Sequence, residues 1–109
     1  MSNRSDKLYI TDIRESIKKI ELYIRGLKFE DFRKDSRTID AVVRNLEIIG
    51  EAAKNISKEV KSANSQIPWK EMTSLRNKVS HEYFGVDMDT LWETATVDLP
   101  ELLSMLRHL

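Results

Sequence analysis

The chain has 109 residues, of which 40% are hydrophobic and 33% charged, a composition typical of one folded domain, here expected to span residues 1–109. Its 18 basic and 18 acidic side chains cancel, which argues against a broad nucleic-acid-binding surface but allows a small local cluster of cations. The lack of cysteine excludes disulfides and thiol chemistry, and the absence of a signal peptide or a membrane-length apolar run leads us to expect a cytoplasmic protein.

Glycine and proline are scarce, so the chain favours long helices. The first predicted helix runs from about Asp6 to Arg25, and its isoleucines recur at alternating spacings of three and four residues. Gly26 lies where a flexible residue can close that helix. The stretch from Phe29 to Phe32 predicts a short helical connector whose two aromatic side chains pack on the core.

A second long helix is predicted from a cap at Asp35 or Ser36 to about Val60. It contains Gly50, and a glycine inside a helix costs about 1 kcal/mol relative to alanine. We therefore expect another stretch of backbone to approach this helix closely at Gly50.

Charged side chains follow one another at helical spacing along the second helix, and we call this set the polar stripe: Asp40, Arg44, Glu47 and Glu51. This spacing is typical of a solvated face whose members form ion pairs within the helix.

A polar loop is expected over Lys61–Gln66, followed by a third helix that opens near Ile67 and frays between Ser80 and Gly85. A fourth helix should begin at a cap, Asp87 or Asp89.

Pro100 interrupts the fourth helix, because its ring opposes the carbonyl of Thr96. We expect a kink or a break there, with Asp98 capping a new start. No segment shows sustained strand alternation. The predicted fold is therefore an all-α, antiparallel four-helix bundle with a short extra helical connector.

The stretch from Arg76 to Tyr83 concentrates side chains suited to chemistry at a phosphodiester. His81, one of two histidines, can give or take a proton near neutral pH. Arg76 carries a permanent charge on a planar fork that matches phosphate oxygens, Asn77 can donate and accept hydrogen bonds, and Tyr83 adds a phenol. No metal site is expected, because no histidine or carboxylate cluster has ligand spacing.

The spacing of Arg76 and His81 raises a geometric difficulty. Residues five apart on an ideal helix lie about 140° apart around its axis. Either the helix distorts before His81, or two chains pool their residues in a twofold dimer. A non-catalytic interpretation also stands, in which Arg76 forms a surface salt bridge and His81 pairs with the helix dipole.

The motif resembles a known signature. Arg76-Asn77-Lys78-Val79-Ser80-His81-Glu82-Tyr83 is similar to the R-x4-H-x-Y motif of the HepT family, within the HEPN ribonuclease superfamily. Order and spacing agree with that family from about residue 8 to the end, including these further segments: Thr38–Ala52, Ile67–Trp69, Tyr83–Asp87 and Asp98–Leu102.

The resemblance implies a dimeric, metal-independent RNA endonuclease without a cofactor, acting as a toxin beside an MntA-like minimal nucleotidyltransferase antitoxin. Arg76 and His81 would be the catalytic pair, with Asn77 helping to orient them. Tyr83 would be the tyrosine that the antitoxin adenylylates. The expected products are a 2′,3′-cyclic phosphate and a 5′-hydroxyl, so DNA is not an expected substrate. The polar stripe would then flank the RNA-binding cleft.

A second function, from a different class, is compatible with the neutral net charge. In it the chain is a non-catalytic helical dimer that binds a nucleotidyltransferase partner or a nucleotide, and the motif serves only as the modification target.

Overall fold

The computed structural model describes the backbone of residues 5–82 and 87–109, and the side chains of residues 5–76 and 87–109. Within these ranges the chain forms helices and no strand, which confirms the predicted all-α class. The helices are α1 (Asp6–Ile24), α2 (Phe29–Phe32), α3 (Ser36–Lys54), α4 (Lys58–Ala63), α5 (Trp69–Glu82), α6 (Met88–Glu93) and α7 (Leu99–Leu106), with a π-helical turn (Thr94–Asp98) between α6 and α7. None of these helices is both long and apolar enough to cross a bilayer.

Helix α3 packs against both α1 and α5. The isoleucines of α1 are buried as their spacing predicted: Ile10, Ile13, Ile17, Ile20 and Ile24. Just beyond the end of α3, Ser57 donates its N–H and hydroxyl to the Asp6 carboxylate, at 2.8 and 2.7 Å. The end of α3 therefore lies beside the start of α1, and the two helices are antiparallel.

The connector between α1 and α3 forms as predicted. Gly26 has φ +81°, a left-handed conformation that glycine adopts readily after a helix. Helix α2 follows, and the ring of Phe32, which is fully buried, lies 5.0 Å from that of Trp92 in α6. Phe29 lies 6.3 Å from the same ring. Both aromatic side chains thus fix the connector to the core.

Helices α6 and α7, with the π-helical turn between them, form the fourth helix of the bundle. Helix α7 and the turn pack on α1, and α6 packs on α2. Arg14 of α1 binds the C-terminal end of α7. One terminal nitrogen of its guanidinium donates to the backbone carbonyls of Leu106 and Leu109, at 2.5 and 2.9 Å. Asp87 is the cap of α6, accepting the N–H of Asp89 at 3.1 Å. The predicted four-helix bundle with an extra connector is confirmed.

The predicted interruption at Pro100 takes the form of a widened turn. The N–H of Leu99 donates to the Thr94 carbonyl, five residues back, instead of four. An extra residue in the turn is an established way for a helix to bend where proline disturbs its hydrogen bonds. The expectation that Asp98 caps a new start was wrong. Its backbone stays helical (φ −67°, ψ −44°) and its side chain makes no capping bond.

Two predictions around the end of α3 were also wrong. The helix does not reach Val60 but ends at Lys54, and α4 occupies part of the expected Lys61–Gln66 loop. Ser57 explains both, because it adopts an extended conformation and its hydroxyl accepts the N–H of Val60 at 3.3 Å, capping α4. The contact with Asp6, far away in sequence, holds Ser57 in place.

Candidate functional site

Helix α5 approaches α3 closely at Gly50, where the sequence predicted that another stretch of backbone would come near. A Cβ atom built on Gly50 would lie 2.7 Å from the backbone nitrogen of Arg76 and 2.8 Å from its Cβ. Only glycine permits that approach without movement of a helix. The backbone of Arg76, the predicted catalytic cation, therefore lies at a close contact between the two helices.

The side chain of Arg76 is held by an acid from the opposite helix. Its Nε lies 3.1 Å from Oε2 of Glu51, and the two side chains are 48% and 52% exposed. Helix α5 begins after Pro68 and places Arg76 two turns in, level with Gly50 and Glu51 near the end of α3. The surface ion pair considered for Arg76 from the sequence is thus present, and it joins two helices.

Arg76 lines an open groove of about 410 Å³ between α1, α3 and α5. Three members of the polar stripe line the same groove, namely Arg44, Glu47 and Glu51, whereas Asp40 does not. Within the described side chains, the groove is also lined by Tyr9, Asp12, Ile48 and Ala52. Two arginines and three carboxylates thus lie on one concave surface. The arginines can donate hydrogen bonds to a phosphate, although the charged residues around them are acidic.

The other predicted site residues are not described at the level of side chains. Asn77 and His81 belong to α5 by their backbone, but their side chains lie outside the described part, and Tyr83 lies outside it altogether. The backbone of α5 is helical through Glu82. The positions of Arg76 and His81 are therefore offset by about 140° around the helix axis.

Sequence reasoning missed the contribution of α1 to the groove. Tyr9 and Asp12 precede the buried Ile10 and Ile13 by one position each, so they lie at the edge of the α1 isoleucine face. Tyr9 and Asp12 are three residues apart and so lie on the same face of α1, which is the sequence feature that could have indicated their place in the groove. Across residues 5–76 and 87–109, no three His, Cys, Asp or Glu side chains are grouped in a way that could hold a metal ion.

Comparison with known proteins gives consistent matches. The family model described as ribonuclease HepT-like matches residues 13–109. A "Probable ribonuclease HepT" of Thermococcus cleftensis is 50% identical over 99 residues, which cover 91% of this chain and 90% of the relative.

Two further relatives match over similar lengths. One from Caldanaerobacter subterraneus, named "Putative RNase TTE0752", is 40% identical over 106 residues, covering 97% of this chain and 95% of the relative. "Putative RNase MJ1216" of Methanocaldococcus jannaschii is 40% identical over 102 residues, covering 94% and 84%. No solved structure matches the chain closely enough to add a structural relative.

Proposed function

Because this chain belongs to the HepT-like ribonuclease family, we propose that it is a metal-independent RNA endonuclease acting as the toxin of a toxin–antitoxin pair in the cytoplasm. The observation that carries the proposal is the placement of Arg76. Its backbone is fixed against Gly50, and its guanidinium lines an open groove that also contains a second arginine, Arg44. A rigidly held cation beside an open surface is what a reaction at a phosphodiester requires.

In the proposed reaction the 2′-hydroxyl of one nucleotide attacks the adjacent phosphorus. His81 removes the hydroxyl proton or protonates the leaving 5′-oxygen, the P–O2′ bond forms and the P–O5′ bond breaks. Arg76 binds the phosphate and stabilises the extra negative charge that develops on it, while Asn77 helps orient the catalytic pair. The products are a 2′,3′-cyclic phosphate and a 5′-hydroxyl. DNA lacks the attacking hydroxyl and is not a substrate.

The active unit of the proposal is a homodimer. Because α5 is helical from Trp69 to Glu82, the positions of Arg76 and His81 diverge around its axis, which favours pooling of residues from two chains over distortion of one helix. A twofold axis brings the same patch of each protomer to one cleft. Arg76 of one protomer and His81 of its partner would then act on the same phosphate.

Regulation in this proposal acts through Tyr83. An MntA-like minimal nucleotidyltransferase antitoxin transfers an adenylyl group from ATP to the tyrosine hydroxyl, which loses its proton while pyrophosphate leaves. The added nucleotide places bulk and negative phosphate charge near the RNA-binding cleft, where it repels the anionic substrate.

The test begins with purified protein and RNA in the presence of a chelator. We expect wild type to cleave the RNA and leave 2′,3′-cyclic phosphate ends, and we expect Arg76→Ala and His81→Ala each to abolish cleavage. Arg107→Ala is the matched control, because Arg107 is an exposed arginine after α7 and does not line the groove. Equal background cleavage in all variants would contradict the proposal. The chain would then be a non-catalytic helical dimer that binds a nucleotidyltransferase or a nucleotide.

The shared site has its own test. Refolding an equal mixture of Arg76→Ala and His81→Ala chains makes half of the dimers mixed, and one of the two sites in each mixed dimer is intact if the pair is pooled. We expect activity to return to about a quarter of wild type. No recovery, in protein that light scattering shows to be dimeric, would place both residues of a site in one chain.

A further inference from the structure

The Glu51–Arg76 ion pair is not explained by stability. Both side chains are about half exposed, and an exposed pair gains little because water and salt screen its attraction. A carboxylate beside a cation that binds phosphate also repels the substrate. Glu51 therefore carries a cost for RNA binding that some other contribution must offset.

We propose that Glu51 is a positioning residue for Arg76, holding the guanidinium so that its two terminal nitrogens face the phosphate. The inference rests on the proposed ribonuclease function and deepens it. Its central observation is the atom that Glu51 contacts, because Oε2 of Glu51 lies 3.1 Å from Nε of Arg76. An acceptor at Nε leaves the fork formed by the two Nη groups for a second, bidentate partner.

Two consecutive residues of α3 thus fix Arg76 at two points. Gly50 lets the Arg76 backbone come close, since the Arg76 nitrogen lies 2.7 Å from where a Cβ on Gly50 would be. Glu51 contacts Nε near the far end of the Arg76 side chain. A free arginine side chain has several rotatable bonds and loses considerable entropy when it is ordered. If the Arg76 backbone and its Nε are already fixed before RNA binds, part of this entropy loss no longer has to occur during the reaction.

The opposite role for Glu51 is a mask that occupies Arg76 until RNA displaces it. The two roles predict different signs. If Glu51 positions Arg76, its removal lowers kcat; if it masks Arg76, its removal lowers KM and leaves kcat unchanged or higher. The contact at Nε favours positioning, because a carboxylate at that atom lies beside the guanidinium and leaves the fork of the two terminal nitrogens for a phosphate.

The kinetic test compares Glu51→Gln with Glu47→Gln. Both substitutions remove one negative charge from the groove, but the ion pair to Arg76 is formed by Glu51. Less repulsion should lower KM slightly in both. We expect kcat to fall about tenfold in Glu51→Gln alone, the usual scale for losing an orienting partner. An unchanged or higher kcat in Glu51→Gln, or an equal fall in Glu47→Gln, would overturn the proposal.

A second measurement does not depend on cleavage. The Nε–H resonance of Arg76, assigned by its loss in Arg76→Lys, should be protected from exchange in wild type and in Glu47→Gln. It should exchange faster and shift in Glu51→Gln. If it is unaffected there, Glu51 does not hold the guanidinium and the inference fails. If wild type lacks ribonuclease activity, the proposed function fails separately, and the resonance still decides whether Glu51 fixes Arg76.

Discussion

Substitution of Gly50 by alanine tests directly how Arg76 is held. The added Cβ would lie 2.7 Å from the Arg76 nitrogen, 2.8 Å from its Cβ and 3.2 Å from its Cα. Carbon atoms in contact are about 3.5–4.0 Å apart, so α3 and α5 must separate by about 1 Å at this point. Because the clashing atoms belong to the backbone or are attached directly to it, side-chain rotation cannot relieve the overlap.

Two terms of opposite sign set the magnitude. Alanine favours a helix over glycine by about 1 kcal/mol, whereas forcing extra volume into a packed interface costs about 1–3 kcal/mol. Since the helices themselves must move, we take the upper part of that range and expect a net loss of about 1–2 kcal/mol in the free energy of unfolding. For a domain of this size the melting temperature should fall by about 5–15 °C.

Circular dichroism gives the melting temperature, and kinetics in the temperature range where the variant is folded give kcat. A displacement of Arg76 by about 1 Å should lower kcat by about 10- to 100-fold. Gly26→Ala is the control, because its φ of +81° strains any side chain, but nothing lies within 4 Å of the added Cβ. It should lose stability and keep kcat. A Gly50→Ala protein as stable as wild type would refute the rigid contact between the helices.

Three further predictions concern other parts of the chain. Asp6→Ala should lower the free energy of unfolding, measured by urea denaturation, by about 1–3 kcal/mol, because it removes both hydrogen bonds to Ser57. The Thr38 hydroxyl, and secondarily its N–H, hold the pKa of Asp35 below its usual range. This stabilisation is present above the ordinary carboxyl pKa and is lost as the pH falls through the lowered pKa of Asp35. The stability advantage of wild type over Asp35→Asn should therefore shrink from pH 7 to acid pH. A difference that stays constant with pH would contradict the prediction. Tyr83→Phe should retain cleavage but resist inhibition when the antitoxin and ATP are added; inhibition as strong as in wild type would argue against Tyr83 as the modified residue.

Local sequence patterns predicted most of the fold, because helix formation and the burial of a helix face depend mainly on residues that are close in sequence. The isoleucine spacing of α1 specifies one apolar stripe, and the structure buries that stripe. Gly50 was predicted to admit another backbone because glycine in a helix is otherwise unfavourable, and α5 is the backbone that it admits. In both cases the free energy in question, gained by burying isoleucine or lost by placing glycine in a helix, depends on the residue type itself.

The failures of sequence reasoning have a common cause in contacts between distant residues. The break before α4 depends on the bonds between Asp6 and Ser57, which no local pattern contains. The pairing of Glu51 with Arg76 likewise joins two helices, so helical spacing suggested only partners within α3. The chemistry of the candidate site could be predicted from residue types, whereas its grouping into one groove depends on how three helices cross.

The charges of the groove lead to a last prediction, on how binding depends on salt. Among the residues whose side chains are described, Arg44 and Arg76 are its two cations, against three carboxylates. Single-stranded nucleic acid binding weakens with salt by a slope of about −0.7 per neutralised phosphate in a log–log plot. Two contacts give about −1.4, and four contacts in a shared twofold cleft give about −2.8. From about 50 to 200 mM salt the affinity should therefore fall only about 7- to 50-fold.

Fluorescence anisotropy with a 2′-O-methyl RNA, which cannot be cleaved by the proposed route, measures this slope without turnover. Arg44→Ala should make the slope shallower by about 0.7 for each copy that contacts RNA and should weaken binding, while kcat changes little because Arg76 keeps its partner Glu51. Arg107→Ala should leave the slope unchanged. A slope steeper than about −4 exceeds what the arginines of two grooves can supply. RNA would then be held mainly by cations elsewhere on the protein, and this groove would not be its principal binding surface.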